Sequence, residues 1–318
     1  MIKIIPFLLC IICLTGCSAP KTEFQGFSMD APYHITGYGL SREQLDQAKE
    51  ILNHADNRFS AYRDTSTLSI LNHNKKLSVQ TDDDKALYQI IDKTIPYCDD
   101  YFDISIRPVS KLWDFTSDAV VLPNAEKIAE NLKYVDFRNI LLKEKSVELK
   151  NDAEIDLGAV AKGFVCDEIA SYLKDEIALI DIGGTVKTVG QSITAGVKSP
   201  TLDGLLCSFT LPAGKAVATS GSYERNITVN GKLYHHILNP KTGYPFESEL
   251  VSVSVICDSA MVADIIATKL FAMGNTGLSE ENLEAVFVTR DRKVYLTDGI
   301  KDFKMLHKDY TLVKEKGE

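Results

Sequence analysis

Apolar positions dominate residues 259–273, where aliphatic side chains and alanines are interrupted by Asp264, Thr268 and Lys269. A run of this length predicts a helix buried on most sides, with Asp258 or Ser259 as its N-cap. Just before it, residues 251–255 alternate valine and serine, the period of a strand. Asp264 and Thr268 stand about one turn apart at ~3.6 residues per turn, so their oxygens share a face, and Lys269 lies well round from Asp264. A carboxylate among apolar neighbours is costly unless it is paired, hydrogen-bonded or bound to metal. Two oxygens at this spacing suit a hard cation such as Mg2+, which fills the rest of its shell with water and phosphate. The alternative is that Asp264 faces solvent or caps a neighbouring element.

Elsewhere the pattern predicts a strand over 32–38, a helix over 42–59, and a strand over 153–157 followed by a helix over 160–173. A buried strand over 177–182 ends in Gly183-Gly184. Strands over 192–197, 205–211, 224–229 and 232–237 are joined by turns at Asp203-Gly204, Ala213-Gly214 and Asn230-Gly231. Helices and strands do not alternate regularly, and there is no internal repeat or low-complexity segment. The expected class is therefore α+β with substantial antiparallel sheet.

The N-terminus changes the picture of where the protein works. Lys3, an apolar run over 4–14 and then Leu14-Thr15-Gly16-Cys17 look like a bacterial lipoprotein signal. The run is too short to span a membrane. The expectation is cleavage after residue 16 and a lipid on Cys17, leaving one domain over 17–318 with a polar tether at about 18–23. An ordinary cleaved secretory signal is the alternative, and either places the mature chain outside the cytoplasm, in the cell envelope. Cys98, Cys166, Cys207 and Cys257 form no CxxC pair, which argues against zinc and for ordinary buried thiols. A net charge of −9 without a dense basic run argues against a nucleic-acid partner.

Four segments carry candidate chemistry. Asp156, Gly158 and Lys162 place an acid at a strand end, a glycine at the turn and a cation in the first helical turn, where helix-start amides favour phosphate. Phe164 follows Gly163 where a P-loop needs Lys, so a Walker site is excluded; a salt bridge between Asp156 and Lys162 is the structural alternative. Asp181 to Gly184 ends a strand with room for close backbone approach. Residues 218–225, rich in hydroxyls, form an expected turn able to bind phosphate or cap a helix. His235 and His236 precede a turn bracketed by Pro240 and Pro245. His236 suits a general base or ligand-positioning group, with a satisfied structural histidine as the alternative. Lys241-Thr242-Gly243 and Ser171 with Lys174 suggest penicillin-interacting enzymes, but KTG lies in a proline-bracketed turn and not on a strand.

Taken in order, Phe59 to Arg63, Tyr101 to Ser105, Asp156 to Gly163, Asp181 to Gly184, Ala218 to Arg225, His236 to Pro245 and Met261 to Thr268 resemble the ApbE family of FAD:protein FMN transferases. The resemblance spans nearly the whole mature chain and implies a T-fold-like α+β architecture, a divalent metal and one FAD. It implies metal ligation by the carbonyl of Ala159, the carboxylate of Asp264 and the hydroxyl of Thr268. It implies FAD contacts from Met29, Tyr62, Tyr101, Phe102, Asp103, Asp156, Lys162 and Leu238. Tyr62 and Phe102 suit stacking on a ring, and Asp103 and Asp156 suit polar edges. Asn239 and Ser222 stand where many relatives have Asp. The implied reaction is Mg2+-dependent transfer of FMN from FAD to a threonine or serine of a membrane-associated redox flavoprotein subunit, with release of AMP. FAD hydrolysis to FMN and AMP, or flavin binding without chemistry, are the alternatives.

Overall fold

The computed structural model describes residues 20–115, 121–201, 204–276 and 282–313. The expected signal over 1–16, Cys17, the first tether residues and Asp203 of the Asp203-Gly204 turn lie outside the described residues. The first half forms β1 (Lys21–Ser28), β2 (Ala31–Tyr38), α1 (Arg42–Phe59), α2 (Thr67–Asn74), β3 (Lys76–Ser78), α3 (Asp82–Thr94), α4 (Arg107–Ser110), α5 (Ala125–Leu132), β4 (Ile140–Lys143) and β5 (Ser146–Leu149). The second half forms α6 (Ala161–Tyr172), β6 (Ile177–Ile182), β7 (Thr185–Val189), β8 (Ile193–Lys198), β9 (Leu205–Leu211) and β10 (Ala216–Gly221). It continues with β11 (Asn226–Val229), β12 (Lys232–His235), β13 (Leu250–Cys257), α7 (Ala260–Met273), β14 (Glu284–Thr289), β15 (Lys293–Leu296), β16 (Lys301–Met305) and β17 (Thr311–Val313).

A nine-stranded sheet in the order β1-β2-β6-β7-β10-β13-β14-β15-β17 organises the molecule. Its neighbours are antiparallel except β15 and β17, which matches the α+β expectation. Side chains alternate across it as a period of two requires. Val253, Val255, Ala285 and Phe287 pack with α7, whereas Ile256, Val286 and Val288 pack with β8 and β9 on the opposite face. A third cluster joins α1, α2, α3 and α6 to β2 and β6. The four described cysteines are free and buried, as ordinary core thiols.

Helices α6 and α7 meet backbone to backbone. A Cβ on Gly163 would lie 2.4 Å from the Ala260 carbonyl oxygen and 2.6 Å from the Met261 Cα. One turn further along α6, the Asp167 carboxylate accepts from the Ala260 amide at 2.9 Å, the Met261 amide at 3.1 Å and the Ser259 hydroxyl at 2.6 Å. These are otherwise unpaired groups at the positive end of α7, where an anion is stabilising. Ser259 is the N-cap and accepts from the Val262 amide at 3.2 Å.

Three expectations change. Residues 153–157 form no strand; apart from one bridge between Ile106 and Glu154, the segment is held by the buried Asn72 amide, which bonds both the carbonyl and the amide of Ile155 at 2.8 and 2.7 Å. Ala218 to Gly221 belong to the central strand β10, so only 222–225 turn. The tether is shorter than expected, because Lys21 to Glu23 already pair with Tyr38 to Thr36.

The α6–α7 contact makes a direct prediction. Gly163→Ala should force the helices apart and lower stability by about 1–3 kcal/mol, read as a fall in the denaturant midpoint. An unchanged midpoint would contradict the close approach.

Candidate active site

The junction of α6 and α7 sets Lys162 and Gly163, in the first turn of α6, beside Asp264 in α7. Asp264 is 5% exposed and its Oδ2 has no hydrogen-bond partner. Burial pushes its pKa up, against the opposing pull of Lys162, the Gly163 amide and the Thr185 hydroxyl. Thr268, on the same face, donates to the Asp264 carbonyl at 3.0 Å and lies 3.0 Å from the Ser220 hydroxyl. Donating its proton to its own helix makes the Thr268 oxygen the acceptor from Ser220 and leaves one lone pair free. The Ala159 carbonyl lies in the turn that enters α6. Among the described residues no three His, Cys, Asp or Glu side chains form a metal cluster. A cation here would rest on one carboxylate and neutral oxygens, a donor set suited to a hard ion, and Asp264 Oδ2 is the buried atom it would satisfy.

The salt bridge between Asp156 and Lys162, the alternative to a phosphate site there, is absent from the ion pairs of the described residues. Asp156 instead accepts from the Ser110 hydroxyl at 2.7 Å and the Gly158 amide at 3.0 Å. Lys162 donates to the Gly158 carbonyl at 3.3 Å, and its stem passes Gly183, whose Cβ would meet Lys162 Cδ at 3.3 Å and Ala31 Cβ at 2.7 Å. Gly183, at φ 61°, thus makes room for the lysine.

Around this floor stand residues from distant parts of the chain. The β1–β2 turn holds Met29 and Asp30, both at φ 55°, a left-handed conformation that non-glycine residues adopt at a cost. It is fixed by the Met29 amide donating to Asp56 at 3.4 Å and by Arg225 donating to the Asp30 carbonyl at 3.1 Å. His236 reaches solvent but is set in a recess. Burial, then the charges of Arg225 and Lys162, push its pKa down to about 4, so the ring is neutral near neutral pH. Its Nδ1 lies 3.2 Å from the Arg225 carbonyl, which requires a proton on Nδ1 and leaves Nε2 with the lone pair. His235, by contrast, is structural: its Nε2 faces the Phe246 carbonyl at 3.0 Å. Glu224 feels both Lys162 and Asp264, and burial raises its pKa. Asn239 supplies its turn through the side-chain amide oxygen, which accepts from Lys241 at 2.8 Å, so an acid is not required there. Leu238 bridges Pro245 across that turn.

Two expected contacts have side chains that are already engaged within the chain. Phe102 is 5% exposed and packed in the main core, so it offers no open ring face; its neighbour Tyr101 does, 41% exposed and stacked on Phe246 at 6.3 Å. The Asp103 carboxylate is already engaged by the Ser105 amide and hydroxyl at 2.7 and 2.6 Å and by the Phe137 amide at 3.0 Å, which makes it an organiser of its loop. Thr185, Ser110 and Arg107 carry no signal in the sequence and meet the site only through tertiary packing, while Ser220, expected within the hydroxyl-rich 218–225 segment, reaches Thr268. The role of Lys269 is likewise set by tertiary packing: it pairs with Asp99 at 2.8 Å and donates to the Tyr97 carbonyl at 3.0 Å. Asp99 in turn accepts from the amides of Tyr101 and Phe102 at 2.8 and 3.1 Å, so α7 also fixes the loop that displays Tyr101.

A family model described as the ApbE family matches residues 29–287. The chain belongs to the ApbE family. A relative from Klebsiella pneumoniae, named FAD:protein FMN transferase, is 39% identical over 212 residues, covering 63% of this chain and 66% of that one. A protein of the same name from Treponema pallidum is 29% identical over 291 residues, covering 81% and 80%. The crystal structure of an ApbE protein from Thermotoga maritima superposes with a TM-score of 0.78 at 27% identity, covering 88% of this chain and 97% of that one. The flavin transferase ApbE from Vibrio cholerae shares the fold, with a TM-score of 0.72 at 23% identity and coverage of 90% and 96%.

Asp181, behind the Gly183-Gly184 turn, gives the site a pH signature. It is buried, accepts the Gly184 amide at 3.0 Å, and burial raises its pKa to about 6. A raised carboxyl favours the fold in its protonated form, so its contribution is full below the unfolded pKa near 4 and is lost as pH rises through about 6. Asp181→Asn, which keeps the acceptor, should be more stable than the parent at about pH 7 by on the order of 2–3 kcal/mol and equal to it below about pH 4. Parallel stability curves for the two proteins would contradict this.

Proposed function

We propose that the recess binds FAD and that the protein transfers the FMN half to a serine or threonine hydroxyl of a partner flavoprotein, releasing AMP. The observation that carries this is Asp264 Oδ2, a buried carboxylate oxygen without a partner, lying beside Lys162 at the start of α6. Membership of the ApbE family, and the name FAD:protein FMN transferase borne by the relatives, support the substrate.

In the transfer, the acceptor oxygen forms a bond to the FMN phosphorus as the bridging P–O bond breaks, and AMP leaves with the bridging oxygen. Lys162 offers a cation and the α6 start offers amides to the phosphates. His236 Nε2, neutral and unprotonated, can take the hydroxyl proton. A divalent cation such as Mg2+, bound by Asp264, Thr268 and the Ala159 carbonyl, would supply charge neutralisation at the pyrophosphate. Tyr62, Tyr101, Met29 and Leu238 provide the apolar and aromatic walls for the dinucleotide, with Asp156 at a polar edge.

The acceptor belongs to the class of membrane-associated redox subunits, and the protein itself to the cell envelope. Leu14-Thr15-Gly16-Cys17 supports a lipid on Cys17. No helix of the described residues is long and apolar enough to cross a membrane. Labelled fatty acid should enter the parent protein and not Cys17→Ser; equal labelling would remove the anchor from the proposal.

The purified chain, incubated with FAD, Mg2+ and an acceptor flavoprotein, should add the mass of FMN to the acceptor and release an equal amount of AMP. Asp264→Ala should fold normally and lose turnover by at least about 100-fold. AMP without a mass gain would make the protein a hydrolase of FAD, and intact FAD would leave only a binding protein.

A further inference from the structure

Arg107 is 9% exposed, and its Nη1 has no hydrogen-bond partner. Its Nη2 donates to the Ala61 carbonyl at 2.8 Å, and the guanidinium carbon lies 4.2 Å from the centre of the Tyr62 ring. Tyr62 is 68% exposed. The loop beneath it is fixed as well, since the amides of Tyr62 and Arg63 both donate to the Ser60 hydroxyl at 3.2 Å. One face of the ring is therefore covered by an immobile cation while much of the side chain stays open.

An exposed tyrosine on a loop ordinarily keeps its rotamer freedom, and ordering it on ligand binding costs affinity. A guanidinium stacked under the ring and bonded to the preceding residue removes that freedom beforehand. The arrangement is kept although it leaves one buried donor without an acceptor, which by itself favours a different placement of the arginine. The same short helix also carries Ser110, the donor to Asp156. α4 thus braces an aromatic and a carboxylate of one recess through two side chains.

We propose that Arg107 is a positioning residue for the dinucleotide: it presents Tyr62 as a preformed platform whose open face receives a flat ring of FAD. This rests on the FAD reading given above. Arg107 touches the ligand only through Tyr62, so its loss weakens binding more than chemistry.

The test uses the full chain with FAD itself, read by flavin fluorescence titration and by steady-state transfer kinetics. Arg107→Leu should raise Kd and KM for FAD at least about fivefold while kcat stays within about twofold, with Arg107→Lys between it and the parent. Tyr62→Leu should lose as much, and adding Arg107→Lys to Tyr62→Leu should cost nothing further, because the arginine acts through the ring. Unchanged KM in the Arg107 variants, additive losses in the double variant, or a lowered thermal midpoint with intact FAD affinity would each overturn the proposal. If Arg107→Leu does not fold, the Arg107→Lys and Tyr62→Leu cycle decides alone. A parent protein that binds no FAD overturns the FAD reading and this inference together, whereas a parent that binds FAD with indifferent variants overturns only the inference.

Discussion

With no side chain at Gly163, α6 and α7 close to backbone contact, and Asp167 locks them there by taking the Ser259 hydroxyl and the first amides of α7. Everything at the recess floor is measured from that contact. It lays the second turn of α7 against the first turn of α6, which places Asp264 beside Lys162 and the Gly163 amide and shields it from water. A carboxylate in such a place is costly, because its own hydrogen bonds leave one oxygen unused. The stability lost by burying it is offset by the apolar remainder of α7, packed on β10 and β13.

The electrostatics of the recess follow from the same closeness. Lys162 acts on Asp264, Glu224 and His236 at once, and Arg225 adds a second cation beside His236. Burial first, and the cations after it, keep the histidine neutral, and the Arg225 carbonyl selects its tautomer. Under the proposed function, the positive charge would face the phosphates, the free imidazole nitrogen the hydroxyl proton and the unsatisfied carboxylate a metal, which is catalysis by placement and charge.

Local signals in the chain told most about elements whose causes are local. The amphipathic stretch capped by Ser41 and the apolar run capped by Ser259 become α1 and α7 as expected, because period and cap lie within a few residues of each other. The shared face of Asp264 and Thr268 follows from helical pitch alone. Residues 153–157 misled because their partner is the side chain of Asn72, 83 residues away, which no strand pattern encodes. Phe102 and Asp103 were legible as part of the family's motif, but which one turns inward is decided by Asp99, Ser105 and Phe137. Arg107 carried no signal as an isolated arginine; its meaning lies in Tyr62, brought to it by the fold.

Diffraction from crystals grown with FAD and Mn2+, recorded at the manganese absorption edge, tests the central claim most directly. One anomalous peak should lie within coordination distance of the Asp264 carboxylate and the Thr268 hydroxyl, beside the pyrophosphate at the start of α6. A peak held by other residues with Asp264 left bare, or a dinucleotide bound away from the α6–α7 junction, would contradict it.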